Sequence, residues 1–92
     1  MQKKEMRTLE IGKIYRHFKG NAYQVLMLAK DSEIPDRSLV IYQGLYGNKD
    51  IYARELNMFL SPVDKQKYPE VEQYYRFEYD ELLNQETNLK LK

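Results

Sequence analysis

An all-β domain follows from three features of this sequence. Short segments rich in β-branched and aromatic residues recur about every eight to twelve residues, each bounded by a turn signal. Helical amphipathic spacing is nearly absent before residue 80. The chain has only 92 residues, too few for a full immunoglobulin-type sandwich plus tails. A small five-stranded SH3-like barrel is the natural solution, with a short 3-10 turn and a short C-terminal helix. The expected organisation is a disordered segment at 1–8, the barrel at 9–80, and a short helix or flexible tail at 81–92.

The elements are expected in this order. Apolar character begins at Leu9 and Ile11, and "KIYRHF" forms the first strand after Gly12. Period-two alternation puts Tyr15 and His17 on one face and Ile14, Arg16 and Phe18 on the other. "KGN" at 19–21 is a turn, with Gly20 or Asn21 suited to positive φ. In "YQVLMLAK", Tyr23, Val25, Met27 and Ala29 share one face, Leu26 and Leu28 the other. This strand is therefore expected to be buried on both sides for part of its length. "DSEIPDR" is a polar loop. "SLVIYQGLYG" is a third strand, and Gly44 inside it predicts a bulge or sharp bend. "IYARE" pairs with it across the "YGNKD" turn. "LNMF" is a single helical turn, 61–73 a loop, and "YYRFEY" the last strand. Asp80 is placed to cap a helix beginning "ELLNQE".

The composition excludes several function classes. There are 15 basic and 14 acidic side chains, without the basic excess of a general polyanion binder. No apolar run is long enough to span a bilayer, and no signal-peptide pattern opens the chain. With no cysteine there is no disulfide framework, thiolate nucleophile or zinc–thiolate site. A bacterial-type cytoplasmic protein is expected. Charge is uneven: residues 1–20 are basic, and residues 70–86 carry six acids against Arg76. The two segments are read as solvated neighbours, or the first as a basic face for an anionic partner.

The residues "GKIYRHFKGNAYQVLMLAKDSE", "VIYQGLYG", "ARELNMF" and "RFEY" resemble the small bacterial family of unknown function DUF1653. The shared motifs stand here as "YRHFKG" at 15–20, Ser32 with Glu33, Tyr42 with Leu45, Tyr46 and Gly47, then Arg54, and Met58 with Phe59. The resemblance implies a compact SH3-type barrel and no established activity. The family commonly has an aromatic residue and then Val-Arg-Pro before the Met-Phe segment. Here the sequence is Tyr52, Ala53, Arg54, Glu55, without the proline, and the linker 61–73 is longer than the family pattern.

His17 is the only histidine among the 92 residues. It either packs on the barrel wall and bonds a loop carbonyl, or faces a ligand. Meeting Ser32 and Glu33 would give it the outline of a nucleophile–base–acid set, but no nucleophile elbow or oxyanion glycine run accompanies Ser32. One histidine without cysteine gives no metal site, and "YGNKD" is no phosphate cradle, so no metal or cofactor is expected. Nine tyrosines can close the core or, if exposed beside Arg16, Lys19 and Arg54, stack on a ligand. The reading is therefore a recognition module rather than an enzyme. Its site is drawn from Tyr15, Arg16, His17, Lys19, Ser32, Glu33, Tyr42, Tyr46 and Arg54. It would take an anionic or polar ligand: single-stranded nucleic acid, a peptide or an anionic metabolite. The alternatives are a small hydrolase using His17 with Ser32 and Glu33, or an assembly protein pairing through an edge strand. A monomer or weak homodimer is expected.

Overall fold

The computed structural model describes residues 7–90, with the side chains of 87–90 left aside. Five strands form one antiparallel sheet: β1 Ile14–His17, β2 Ala22–Lys30, β3 Ser38–Gly44, β4 Ile51–Glu55 and β5 Phe77–Tyr79. A single helical turn, α1 Leu56–Phe59, follows β4, and α2 Glu81–Lys90 follows β5. The sheet order is β4-β3-β2-β1-β5. The all-β, five-stranded expectation holds, but the sheet is open: among the described residues β4 and β5 do not pair, so it is not a closed barrel. Among these residues no helix is long and apolar enough to cross a membrane.

Register decides what each face carries. His17 lies opposite Phe77, and Tyr15 opposite both Tyr23 and Tyr79. Val25 faces Tyr42, and Tyr42 faces Tyr52. Directly paired residues project to the same side of an antiparallel sheet. One inner face therefore gathers nearly all these aromatic rings. Phe59 of α1 lies at its centre with none of its surface exposed, its ring stacked on Phe77 at 4.0 Å and 7°. Tyr15, Val25, Val40, Tyr42, Phe59 and Phe77 form the core. Burying a large apolar side chain of this kind is worth about 1.5–3 kcal/mol.

The bulge is not at Gly44. Val25 pairs with Tyr42 but Met27 with Ile41, so Leu26 is the extra residue on β2. A bulge of this kind needs no glycine, so the sequence did not mark it. It also reverses the alternation downstream. Leu28 shares a face with Val40, and Met27 with Ile41 on the other side, contrary to the face expected for Met27. Both are about half exposed, so β2 is not buried on both faces there. Gly44 stays in regular register opposite Tyr23. Its lack of a Cβ serves a close approach, since a Cβ there would sit 2.9 Å from the Tyr46 ring. In the 19–21 turn it is Gly20 that takes positive φ, at 113°.

Beyond β4, the Glu55 carboxylate accepts the Met58 N–H at 3.0 Å. It caps α1 where the resemblance implied a proline, so the strand exit is fixed by a hydrogen bond rather than a ring. The 61–73 segment then doubles back. The Val63 N–H donates to Tyr74 at 2.8 Å and the Arg76 N–H to Ser61 at 2.9 Å, around a bridge between Pro62 and Tyr75. The last strand is thus shorter than expected, because residues 74–76 pair with 61–63 instead of with β1. Asp80 accepts the Leu83 N–H at 2.9 Å and caps α2. Asn84 of that helix is buried, and its amide bonds both the N–H and the carbonyl of Ile14, at 2.8 and 2.9 Å. Most of the segment expected to be disordered, 1–8, lies outside the described residues. Arg7 at its end donates to the Leu60 and Phe77 carbonyls at 2.9 and 2.8 Å, with its guanidinium 3.8 Å over the Tyr75 ring.

Candidate functional site: a cationic aromatic cavity at the open seam of the sheet

Where the two outer strands approach without pairing, the inner face leaves a cavity of about 160 Å³. His17 of β1 and Phe77 of β5 line it from one side, Tyr52 and Arg54 of β4 from the other, and Tyr23 and Tyr42 form the floor. Alternation explains the set. Tyr52 and Arg54 are two apart on β4, so both point inward. His17 is two beyond the core residue Tyr15.

The walls are aromatic and mutually braced. Tyr23 meets Tyr42 at 5.4 Å, Tyr46 at 5.5 Å, Tyr52 at 6.1 Å and Phe77 at 5.7 Å between centroids, all near edge-to-face. The Tyr23 and Tyr46 hydroxyls bond each other at 2.7 Å. Burial and that bond push the Tyr23 phenol well above its ordinary value. Arg54 donates to the Tyr42 hydroxyl at 3.2 Å, which fixes its guanidinium against the floor.

His17 is held by its own turn. The Lys19 backbone N–H donates to Nδ1 at 3.0 Å. Nδ1 therefore carries the lone pair, and the ring proton sits on Nε2. Burial, then the positive charges of Arg54, Lys19 and Arg76, lower its pKa to about 4. The imidazole is neutral at pH 7 and offers an N–H donor. Among the described residues no carboxylate lines the cavity. Two donors, aromatic walls and a positive field make a seat for an anionic or electron-rich planar group.

The structure brings His17, Tyr42 and Arg54 together from the residues singled out in the sequence, with Tyr46 at the rim through Tyr23 and Lys19 through its amide on His17. The others lie elsewhere. Tyr15 is only 2% exposed, and its hydroxyl accepts the Glu10 N–H at 3.0 Å, so it serves the core. Arg16 projects to the opposite side, where it pairs with Asp80 at 2.8 Å and donates to the Gly20 carbonyl. The basic and acidic segments are thus neighbours, and this contact joins them. Ser32 and Glu33 follow the far end of β2, whose nine residues span roughly 26 Å at about 3.3 Å each. The hydrolase set of His17, Ser32 and Glu33 does not assemble, because a hairpin separates its turn from the opposite end of its strands. In that loop Asp31 accepts the Glu33 and Ile34 N–H groups and pairs with Arg37 at 3.0 Å, a self-contained turn. Among the described residues no group of three or more His, Cys, Asp or Glu is placed to hold a metal ion.

Tyr23, Tyr52 and Phe77 were missed as site residues. Tyr52 was legible from Arg54, its period-two neighbour. Tyr23 and Phe77 required the strand register, which no local pattern carries.

A crystal structure of a DUF1653 protein from Bordetella bronchiseptica matches with a TM-score of 0.62 and 30% identity, over 75% of this chain and 85% of that one. No curated protein matches significantly. The family described as "Protein of unknown function (DUF1653)" matches residues 13–79, which span β1 to β5 and every residue lining the cavity. The chain belongs to the DUF1653 family.

Proposed function

We propose that this protein is a small recognition module that binds an anionic or polar ligand in the cavity at the open seam, without transforming it. The observation that carries the reading is the lining itself: Arg54 and neutral His17 as donors, aromatic walls, and no carboxylate among the described residues. A cationic ligand would meet Arg54 with nothing to offset it, whereas an anion gains charge-assisted hydrogen bonds. Tyr52, 38% exposed at the mouth, offers a ring for a planar group to stack on. In the same proposal the protein works in the bacterial cytoplasm, a setting supported by its bacterial relative and checked by cell fractionation.

The test is an NMR titration of the whole protein with inorganic phosphate, acetate and a nucleoside monophosphate. Amides around 17–20 and 52–54 should shift saturably, and Arg54→Ala should abolish the shifts while leaving the rest of the spectrum folded. No saturable shift at these amides with any of the three would remove the reading.

A further inference from the structure

The cavity does not end at His17. The turn after β1 folds Phe18 back so that its ring stacks on the imidazole at 4.4 Å and 29°. Phe18 in turn meets Tyr68 at 4.9 Å. The rings therefore continue from the cavity wall out onto the surface, through His17 and Phe18 to Tyr68. Cations follow the same line. The Lys19 ammonium lies 5.4 Å from the Tyr68 centroid and 5.9 Å from that of Phe18, and the Lys67 ammonium 5.6 Å from Tyr68. The nearby acid Asp64 is exposed, but one of its carboxylate oxygens is engaged by its own turn, accepting the Gln66 and Lys67 N–H groups at 3.0 and 3.3 Å.

We propose that this track extends the ligand site and that its occupant is a short single strand of nucleic acid. One base would sit in the cavity against Tyr52, the next on the Phe18 and Tyr68 rings, with Arg54, Lys19 and Lys67 at the phosphates. The inference rests on the cavity being the ligand site proposed above. Unpaired bases present faces that stack on rings without regard to sequence, and the backbone supplies a negative charge between successive bases. That alternation of flat rings and anions matches the alternation of rings and cations on the protein. An acidic peptide satisfies the cations but leaves a run of aromatic faces without partners. A single small anion uses the cavity alone and leaves Tyr68 and Lys67 unused. The near-neutral overall charge implies a short footprint. With three phosphates held by Arg54, Lys19 and Lys67, log affinity should fall against log salt with a slope of about −2.1.

The experiment compares a homopyrimidine hexanucleotide with the corresponding nucleoside monophosphate, and with an acidic peptide, by NMR titration of the whole protein. The expected result is that the hexanucleotide binds at least about tenfold tighter than the monophosphate and shifts amides at both 17–20 and 65–68. Tyr68→Ala should weaken the hexanucleotide about tenfold and leave the monophosphate unchanged, since Tyr68 does not line the cavity. Lys67→Glu, an exposed position that leaves packing intact, should do the same if Tyr68→Ala disturbs the fold. A hexanucleotide no tighter than the monophosphate, or variants that affect both equally, overturns the inference while the cavity reading stands. Tighter binding of the peptide also overturns it. No binding of any ligand removes both.

Discussion

The Tyr46 ring lies against the backbone of Gly44, so close that a Cβ on Gly44 would come within 2.9 Å of it, and its hydroxyl reaches that of Tyr23 at 2.7 Å. A strand glycine thus sets one rim of the cavity. In Gly44→Ala the Tyr46 ring, already 38% exposed, swings outward rather than straining the backbone. The methyl group recovers part of the cost glycine carries in a strand, about 0.5–1 kcal/mol. Global stability should therefore change by less than about 1 kcal/mol, while ring-to-ring nuclear Overhauser contacts between Tyr23 and Tyr46 disappear. Retention of those contacts in the variant would contradict this account.

Asn84 substitutes for a missing strand neighbour. Its amide satisfies both backbone groups of Ile14, which are buried beneath α2. Asn84→Leu strands the Ile14 N–H, while the Ile14 carbonyl keeps the Asp80 N–H at 3.0 Å; one buried donor without a partner costs about 1–3 kcal/mol. Urea denaturation should show a loss of about 1–3 kcal/mol. A loss under about 0.5 kcal/mol would mean that Ile14 finds other partners.

Arg7 ties the end of α1 to β5 through two carbonyls and the Tyr75 ring. Hydrogen bonds from a charged donor are the stronger kind, about 1.5–3 kcal/mol. Arg7→Ala should cost about 2 kcal/mol. Arg7→Lys should recover less than half, because a single ammonium cannot span both carbonyls and stack as a guanidinium does. Equal stability of the lysine variant and the parent would refute the two-carbonyl role.

His17 gives the stability a pH dependence of defined sign. Its folded pKa is about 4, against an ordinary value near 6.5. As pH falls, the unfolded chain takes up this proton first, so acid favours unfolding. The stabilisation is complete above about pH 6.5, declines as pH falls toward 4, and is flat below. Denaturation midpoints of the parent should fall faster across that window than those of His17→Gln. A bound anion offsets Arg54 and Lys19 and should draw the imidazole pKa back upward, read from its ring proton shifts. Parallel pH profiles for parent and variant would place the proton elsewhere.

The strands were legible because Val, Ile and Tyr alternate between turn signals, and the same rule put His17 on the face of Tyr15, though not which face holds the core. The limits are equally physical. Leu26 adds one residue to β2 and reverses the alternation after it, so Met27 was assigned to the wrong face. Whether Ser32 and Glu33 meet His17 was not legible, because a loop motif says nothing about how far the intervening strand carries it. Arg16 looked like a site cation because its partner, Asp80, arrives from the other end of the chain. Long-range pairs of this kind, Asn84 with Ile14 among them, are set by tertiary packing and leave no local trace.

The unpaired approach of β4 and β5 has a consequence for motion. Elsewhere the sheet is stitched by backbone ladders, and widening it means breaking several hydrogen bonds together. Among the described residues it is side chains that line this seam, Tyr52 and Arg54 on one bank and His17 and Phe77 on the other. The seam can breathe by rotamer changes, on the timescale of ring flips rather than of unfolding. A guest larger than the resting cavity can therefore be admitted while the amides of β2 and β3 stay protected from exchange, with entry decoupled from the stability of the fold.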